Sequence, residues 1–533
     1  MQHSCIKLTL LLVAVVFTCF SGKADSWSDA GNYNISWYTT DADIHISSPE
    51  ELAGVAYLVN NNFTDFYNQV IHIDADIDLN GKLWIPIGYR YNFRGSIHGH
   101  NHAIKGVTLN HFNGLTGFVG KMIDGTIKGL TLEVAIQTNM VQSGLFVAEA
   151  SRCVFQNLNI VGSISYVNQD ISTSTEWSTK IYVGGCVGYA SYCTFTDVVS
   201  DFTQSLVFGK SSGRSIFSHI TLYAGGIVGY GYSQNTYLRC ESVANFNNTI
   251  YGYNADSYYT KKGSTRVYCG GIVGYDNSNS STLTSCFSRI TNNQGAHLTG
   301  VYHHARFYTI GIGDFSGRLQ NNVSIIDSCV VTGHDYSWVD AGYHTHSHIS
   351  DCGEYSPSYI GGCYINRDIF KTTSKVSGDD LKIFGSSSFS KAQMNTQEFV
   401  DELNVYSTLH LNGEKNWEIQ EGKLTLKHVE SKEIYALTFL IDGMVYHTDS
   451  LAYGEYIKLP ETPYKEGYTF DGWSDIPETM PAHDVVVHGT FRLSTSVDNV
   501  IENGCDYLQK IIKDYQLFIL RDGKTYNAMG QEM

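Results

Sequence analysis

Alternating apolar and polar residues dominate the chain from about residue 69 to residue 365 and predict a long series of short β-strands. The alternation is clean in "QVIHIDADIDL" (69–79), and it continues in "SIHGHNHAIKGVTL" (96–109) and "GTIKGLTLEVAI" (125–136). Residues of one strand that are two apart share a face, so each of these runs predicts a strand with one buried side.

Helical spacing precedes this β-rich region. Ser48-Pro49-Glu50-Glu51 forms a capping box with proline at the first helical position. Apolar residues then recur at 52, 55, 56 and 59, as one face of a helix requires. A stack of repeats must cover its terminal apolar face, so we predict a short capping helix here.

A glycine motif recurs within the β-rich region. "GGCVGY" begins at residue 184, and "GGIVGY" begins at 225 and again at 270, 41 and 45 residues further on. Identity at a nearly fixed period indicates a repeat architecture. One period therefore predicts one coil of a parallel β-solenoid, with glycine where the chain bends or a neighbouring backbone comes close. Variable segments at 166–181, 205–221, 248–266 and 293–308 predict loops on one side of the stack.

Cysteines recur at a similar period, which predicts a ladder of equivalent positions in successive coils: Cys153, Cys193, Cys240, Cys286 and Cys329. Side chains stacked in register lie about 4.8 Å apart, wider than the usual Cβ separation across a disulfide. We expect an unbridged core ladder. Disulfide bonding remains the alternative, because an exported protein meets an oxidising compartment.

After residue 365 the pattern changes. "MNTQEFVDELN" (394–404) predicts a second short helix with Asn395 as its N-cap, and 416–428 predicts a closing strand pair. The predicted organisation has six parts: signal peptide 1–24, N-terminal cap 25–68, parallel β-helix 69–365, closing segment 366–433, a small domain 434–492, and a linker with C-terminal tail 493–533.

Charge and the N-terminus restrict the function. The formal net charge is −17 and we find no basic stripe, which argues against nucleic-acid and anionic-membrane partners. The apolar run "LTLLLVAVVF" (8–17) follows Lys7 and is too short to span a bilayer. It predicts a signal peptide cleaved after Ala24, with lipidation at Cys19 as the alternative. We predict no transmembrane span in the rest of the chain and an exported, cell-surface or secreted protein.

The repeat units resemble the GLUG-motif repeats of bacterial surface proteins. The quoted glycine motifs carry this resemblance together with the lead-in "ISSPEELAGVAYLVNN", and it covers roughly residues 46–430. It implies a right-handed parallel β-helix and an adhesin-like protein. The longer insertions, rich in tyrosine and histidine, depart from the family, so no ligand is carried over from it.

Two further resemblances cover the C-terminal part. Residues 434–492, including "GYTFDGW" (467–473) and "MPAHD" (480–484), are similar to the Listeria–Bacteroides repeat, which implies a small β-grasp-like domain. Residues 508–533 resemble the C-terminal tail of exported Bacteroidetes proteins that is related to type IX sorting domains. Together the resemblances imply a surface or secreted protein of Bacteroidetes type.

Candidate chemistry is sparse. Asp74, Asp76 and Asp78 alternate along one predicted strand and are weak candidates for a cation or catalytic site. Two histidine clusters could contribute metal ligands, the first being His98, His100 and His102 and the second His344, His346 and His348. Three such side chains spread over about 13 Å, so two of them and a loop ligand would be needed. We expect structural roles for most of these residues and no cofactor.

The variable segments favour binding. They combine aromatic rings with amides and hydroxyls, a composition that holds sugars or proteins. The candidate ligand-binding residues are Trp177, Tyr182, Tyr251, Tyr253, Tyr258, Tyr259, Tyr302, His303 and Tyr308. The leading hypothesis is an adhesin that binds a glycan or a host or bacterial surface protein. The alternatives are a polysaccharide lyase or glycoside hydrolase on a β-helix, for which only fold analogy speaks, and a passive stalk.

Overall fold

The structure of the protein is a computed structural model. The structure describes the following residues: 25–111, 114–168, 178–208, 219–251, 263–298, 303–310, 312–316, 318–327, 329–333, 359–361, 363–366, 383–384, 387–411, 416–427, 434–481, 483–493, 508–513, 516–521, 524–527 and 529–533. The chain divides into two compact units, residues 1–428 and 429–533. The protein is mainly β, with parallel-strand sheets and few helices. No helix in the described part of the chain is long and apolar enough to cross a membrane.

The described residues of the first unit form many short strands and three helices, in this order along the chain: β1 (Asp43–Ile46), α1 (Pro49–Asn60), β2 (Val70–Ile73), β3 (Ile77–Asp78), β4 (Ser96–His111), β5 (Val119–Ile123), β6 (Thr126–Thr138), β7 (Gln142–Gly144), β8 (Val147–Ser151), β9 (Val154–Asn168), β10 (Ser178–Gly184), β11 (Val187–Ser191), β12 (Thr194–Phe208), β13 (His219–Gly225), β14 (Val228–Gly231), β15 (Thr236–Leu238), β16 (Glu241–Tyr251), β17 (Gly263–Gly270), β18 (Val273–Asp276), β19 (Thr282–Thr284), β20 (Phe287–Leu298), β21 (His303–Ile310), β22 (Asp314–Phe315), β23 (Arg318–Gln320), β24 (Val323–Ile326), β25 (Cys329–Gly333), β26 (Tyr359–Gly361), β27 (Tyr364–Asn366), β28 (Ile383–Phe384), β29 (Ser387–Phe389), α2 (Lys391–Met394), α3 (Gln397–His410), β30 (Trp417–Gln420) and β31 (Lys423–Leu426).

Successive repeats add parallel strands to three sheets. The first and largest sheet includes β1–β4, β6, β9, β12, β16 and β20. The second runs in the order β7-β10-β13-β17-β21, and the third in the order β5-β8-β11-β14-β18-β22. Every strand pair in the second sheet is parallel, and equivalent residues of consecutive repeats face each other, as Gly184, Gly225 and Gly270 do. This confirms that one sequence period corresponds to one structural unit.

The core lies between the sheets and is built from the same positions in each repeat. Phe155, Phe195 and Tyr237 are fully buried and stack on one another, with ring centroids 5.0 and 5.2 Å apart. Because in-register pairing repeats each inward position at the strand spacing, an aromatic ring in one coil is placed directly over the ring of the next.

The glycine motif is required by close backbone contact. In "GGIVGY" (225–230) a Cβ on Gly225 would meet the carbonyl oxygen of Val228 closer than 3.0 Å. A Cβ on Gly226 would meet the oxygen of Gly271 in the next repeat, and one on Gly229 would meet backbone of the preceding repeat, both also within 3.0 Å. The motif recurs because three backbones meet at this point in each of these repeats.

The cysteine ladder was predicted wrongly as a single column. Thr194 pairs with Val154 of the preceding repeat and with Thr236 of the following one. Cys193 therefore lies between Cys153 on one side and Asn235 on the other. Cys240 and Cys286 form a second column, in register with Leu158 and Val198 of the earlier repeats. Cys329 is in β25 opposite Asn293, outside both columns.

Two turns per repeat explain the two columns. In each turn a residue with a left-handed backbone precedes the inward residue: Arg152 and Tyr192 in the first turn, and Arg239 and Ser285 in the second, all with φ between 50° and 56°. Cysteine occupies the inward position that follows in both turns, and Leu158 and Val198 occupy it in the earlier repeats of the second turn.

The described cysteines are unbridged and buried, as expected for core positions: Cys153, Cys186, Cys193, Cys240, Cys269, Cys286 and Cys363. The thiols of Cys193 and Cys286 donate to the carbonyls two residues before them, at 3.4 Å in both cases. Burial raises the pKa of the Cys186 thiol well above its usual value. The cysteines therefore act as small apolar residues in this fold.

The capping helix agrees with the prediction, whereas the second helix differs from it. α1 begins after Ser48 with the predicted capping box and buries its apolar face. The segment predicted as one helix contains α2 and α3, and the N-cap of α3 is Thr396. Asn395 instead ends α2, and its side chain accepts a hydrogen bond from Leu424 N. The closing strand pair is confirmed as the antiparallel hairpin of β30 and β31.

In the second unit the residues that the structure describes form two small sheets, whose strands are β32 (Ile434–Ile441), β33 (Met444–Ala452), β34 (Tyr468–Trp473), β35 (Val485–Leu493), β36 (Leu508–Lys513), β37 (Gln516–Arg521) and β38 (Lys524–Asn527). The four-stranded sheet has the order β33-β32-β35-β34 and is mixed, because only β32 and β35 are parallel. Its core includes Leu437, Phe439 and Val487. β36–β38 form an antiparallel sheet.

We predict that Gly226→Ala will destabilise the first unit by about 3 kcal/mol, because its Cβ would lie within 3.0 Å of Ser242 Oγ and of the backbone oxygen of Gly271, which cannot move without breaking the register. Gly81→Ala is the control. Its Cβ would meet nothing within 4 Å, and only its positive φ is strained, at a cost of about 1 kcal/mol. Thermal unfolding of the two variants measures the difference, and equal melting temperatures would contradict the close-packing explanation.

Candidate functional site

Two columns of tyrosines form a continuous aromatic surface on the outside of the repeats. One column lies on the second sheet, where Tyr182, Tyr223 and Tyr268 occupy equivalent positions two residues before each glycine pair. The other lies on the third sheet and consists of the last residue of each glycine motif, Tyr189, Tyr230 and Tyr275. We call these six residues the tyrosine array.

Strand alternation places these rings outside the core. Ile181 and Val183, the neighbours of Tyr182, are fully buried, whereas Tyr182 itself is only partly buried. The glycines between the columns have no side chains, so the chain turns tightly from the second sheet to the third. The two tyrosines of one repeat are thereby brought together, with the ring centroids of Tyr182 and Tyr189 5.7 Å apart.

Within each column the rings stack. Tyr223 and Tyr268 have centroids 5.1 Å apart and planes inclined by 19°, and Tyr189 and Tyr230 are 5.6 Å apart at 10°. Between the columns the rings meet at larger angles, as Tyr182 and Tyr230 do at 4.7 Å and 47°. Ring faces are therefore largely covered by other rings. Tyr230 is only 8% exposed, whereas the other five tyrosines of the array are partly exposed.

Burial among the rings changes the acidity of the phenols. It raises the pKa of Tyr189 to about 12, with smaller contributions from Tyr230 and from Glu149. It also raises the pKa of Tyr182 and, to a greater extent, that of Tyr223. The phenols therefore remain protonated at neutral pH and can donate as well as accept hydrogen bonds.

Charged residues border the array. Lys180 and Arg266 are exposed on the second sheet, two residues before the first column. On the third sheet Glu149 occupies the position equivalent to Tyr189 in the preceding repeat, and it forms an ion pair of 2.7 Å with Lys121. The arrangement is an aromatic strip with a polar border, which can contact an extended ligand along several repeats.

Some of the predicted binding residues fall on strands rather than loops. Tyr182 lies in β10 and belongs to the tyrosine array, and Tyr308 lies in β21 opposite Tyr268. Tyr251 ends β16 and His303 begins β21, so both were wrongly assigned to loops. The long strands extend into the variable segments because each pairs along its length with the next repeat. For Tyr251, His303 and Tyr308 only the backbone is described.

The remaining predicted residues lie outside the described part of the chain: Trp177, Tyr253, Tyr258, Tyr259, Tyr302, His344, His346 and His348. Five members of the tyrosine array are not among the predicted binding residues. Tyr223 and Tyr268 precede the glycine pair by two residues, and Tyr189, Tyr230 and Tyr275 are the last residue of the repeated motif itself. That motif was interpreted as a glycine signal only, and the recurrence of tyrosine at a fixed distance was the available clue.

The predicted aspartate strand is interrupted. β2 ends at Ile73 and β3 begins at Ile77. Asp74 lies 2.9 Å from His45 Nδ1, Asp76 lies 3.3 Å from His102 Nδ1, and Asp78 accepts a backbone N–H two residues further on. The three carboxylates therefore have separate partners. Within the described ranges no group of three or more His, Cys, Asp or Glu side chains could hold a metal ion.

The first histidine cluster is also divided, because His100 has a left-handed backbone with φ 47°. His100 turns onto His72, and their nitrogens share a hydrogen bond of 2.8 Å. His72 is in register with His45 and His98 on the first sheet, so imidazoles from β1, β2 and β4 are neighbours. His72 is only 3% exposed and contacts Asp43 through its other nitrogen at 3.1 Å.

A buried carboxylate lies inside the repeats. Asp276 accepts hydrogen bonds from Ser278 N, Ser281 Oγ, Asn235 Nδ2 and Tyr237 OH, at 3.0 to 3.3 Å. Burial raises its pKa to about 6 despite these donors. Because Asp276 is fully enclosed, it ties two repeats together and cannot reach a substrate.

Comparisons with known proteins identify one module. The family model of the Listeria–Bacteroides repeat domain matches residues 435–481, which confirms that predicted module over this range. Such repeats are typical of surface or exported proteins. Among solved structures, the chain has a likeness to an IgA1 protease with 12% identity and a TM-score of 0.31, covering 72% of this chain and 25% of that one. A likeness at this level carries no argument about function.

We predict that acid will destabilise the first unit through His72. Burial lowers the pKa of this residue below its usual 6.5, so the unfolded chain binds the proton more readily than the folded one. The free energy of unfolding therefore has its full value above about pH 6.5 and decreases as the pH falls through that value. The charged and titratable neighbours of His72 are His45, His98, His100 and Asp43.

The measurement is the melting temperature between pH 7.5 and 5.5. The melting temperature of His72→Phe should decrease less over this range than that of the parent protein. His488→Phe, which changes an exposed histidine of the second unit, should retain all of it. A decrease of the same size in His72→Phe would refute the assignment.

Proposed function

We propose that the protein is an exported, adhesin-like surface protein that binds a glycan or a protein along the tyrosine array. The observation that carries the proposal is the array itself, six tyrosines in contact across three consecutive repeats on the outside of the sheets. Tyrosine combines a large apolar area with a hydroxyl and few rotatable bonds, so it binds ligands at low entropic cost.

For the repeat body we propose a right-handed parallel β-helix of GLUG type. Its support is the parallel, in-register pairing of each repeat with the next. The hand follows from a general rule, because about 98% of connections between parallel strands of one sheet are right-handed.

The cellular context is also part of the proposal. The Listeria–Bacteroides repeat at 435–481 supports a surface-associated or exported protein. The signal peptide at 1–24, the type IX-like tail at 508–533 and the Bacteroidetes origin rest on the sequence patterns alone. So does the choice between release after Ala24 and a lipid anchor at Cys19.

The two alternatives make different demands on the structure. An enzyme acting on polysaccharides needs carboxylates that converge in an open groove. In the described residues Asp74, Asp76 and Asp78 diverge and Asp276 is enclosed. A passive stalk would use the tyrosine array only to hold repeats together, with no function for its hydroxyls. Binding without product release therefore separates the proposal from both alternatives.

We predict that the purified protein binds specific members of a glycan, mucin and cell-surface protein array. Tyr182→Phe combined with Tyr189→Phe keeps the stacked rings and removes two hydroxyls. It should weaken binding about ten-fold, or about 1.4 kcal/mol, and leave the melting temperature unchanged. Tyr192→Phe is the matched control, because Tyr192 is 52% exposed and lies outside the array.

Each contrary outcome has a definite meaning. Absence of binding to every probe would favour the passive stalk. Full binding by the double variant would place the binding surface elsewhere on the protein. Release of soluble oligosaccharide from a bound glycan would favour the enzyme.

A further inference from the structure

A cavity of about 250 Å³ lies beside α1, at the N-terminal end of the first unit. The helix contributes Ala53, Ala56 and Tyr57 to its wall, and the segment at residues 84–90 contributes the opposite wall. Two alanines on successive turns leave room that larger side chains would fill. The volume suits a ligand of one sugar ring, since drug-sized ligands occupy larger pockets of about 300–1,000 Å³.

The walls are held rigid by hydrogen bonds that do not involve a ligand. The indole of Trp84 donates to Phe118 O at 2.9 Å, and that of Trp27 donates to Leu79 O at 3.1 Å. Asn60 links the helix to the opposite wall, because its amide donates to Pro86 O and accepts from two backbone N–H groups of that segment. The cavity is therefore preformed, and a ligand need not order its walls.

The charge of the cavity lining differs from that of the chain as a whole. The chain carries 52 acidic and 35 basic residues, yet the lining includes Arg90 and no carboxylate. The Arg90 guanidinium lies 5.0 Å from the ring centroid of Tyr89, and it makes no ion pair with any carboxylate of the described chain. Lys82 adds a second positive charge beside Trp27, 4.3 Å from that ring.

Polar groups complete the lining. Ser28 and Asn61 are exposed at the cavity. Ser28 Oγ shares a hydrogen bond of 3.0 Å with Ser26 Oγ, and Asn61 Nδ2 donates to Tyr57 O at 2.8 Å. Each side chain retains capacity for a further hydrogen bond to a hydroxyl group, as the amide oxygen of Asn61 does. The cavity has aromatic walls, a hydroxyl and an amide at its rim, and one arginine. This combination suits a ligand ring that carries hydroxyls and a carboxylate. Arginine binds a carboxylate through two parallel hydrogen bonds, which adds orientation to charge.

We propose that this cavity binds a single acidic sugar residue, a hexuronic or sialic acid, with its carboxylate on Arg90. This inference goes beyond the proposed function, because it assigns a separate site and does not depend on the tyrosine array. Its ligand is a terminal or free acidic sugar, whereas the array would contact an extended ligand.

The test is calorimetric titration of the full chain with glucuronate, N-acetylneuraminate, glucose and benzoate. We expect at least one of the two acidic sugars to bind with a Kd on the order of 1 mM, and glucose and benzoate to bind at least ten-fold more weakly. Arg90→Gln should weaken the binding of the acidic sugar at least ten-fold. Arg90 is exposed, so this variant should fold as the parent does.

Three further variants test the cavity itself, general charge and the tyrosine array. Ala56→Met fills the cavity and should abolish binding, with its melting temperature checked to confirm folding. Arg266→Gln removes an equal charge elsewhere, and Tyr182→Phe alters the array; both should bind the acidic sugar unchanged. The proposal fails if neither acidic sugar binds better than glucose, if benzoate binds as tightly, or if binding survives Arg90→Gln in a folded protein.

Discussion

Parallel, in-register hydrogen bonding between successive repeats is the constraint on which the first unit depends. Val154, Thr194 and Thr236 of three consecutive repeats face one another, and the same holds on the second and third sheets. A slip of one residue would turn every inward side chain outward, so register and core composition determine each other. The glycine motif permits this register, because only glycine fits where three backbones meet.

The same constraint turns single residues into columns. A residue that suits one repeat is placed directly over its counterpart in the next, whether it faces inward or outward. Inward, this produces the stacked rings of Phe155 and Phe195 and the two cysteine columns. Outward, it produces the tyrosine array. The array therefore arises from repetition of the fold, and a ligand that contacts it would meet similar groups at each repeat.

Much of this was accessible from the sequence, for identifiable physical reasons. The capping box at Ser48 acts locally, and the glycine period reports a backbone contact that no other residue tolerates, so both predictions were correct.

The errors arose where position depends on partners remote in sequence. Cys193 and Cys240 are 47 residues apart, although the neighbouring glycine motifs are 41 apart, and this mismatch marked the change from the first turn to the second. Asn395 has capping chemistry, but its amide is engaged by Leu424 on the closing hairpin. The cavity beside α1 had no sequence signal, because its walls come from segments that only the fold brings together.

The two proposed binding surfaces differ in valency, and this difference gives them different uses. The tyrosine array repeats with the coil, so a polymeric ligand can engage several equivalent positions, and weak contacts add through the high effective concentration of tethered groups. The cavity beside α1 lies between that helix and residues 84–90, and the proposed site has room for one ligand residue. A protein with both could select a ligand by its acidic sugar and retain it along the repeats. Selection then depends on Arg90 in the cavity, and retention depends on the tyrosine array, which spans three consecutive repeats.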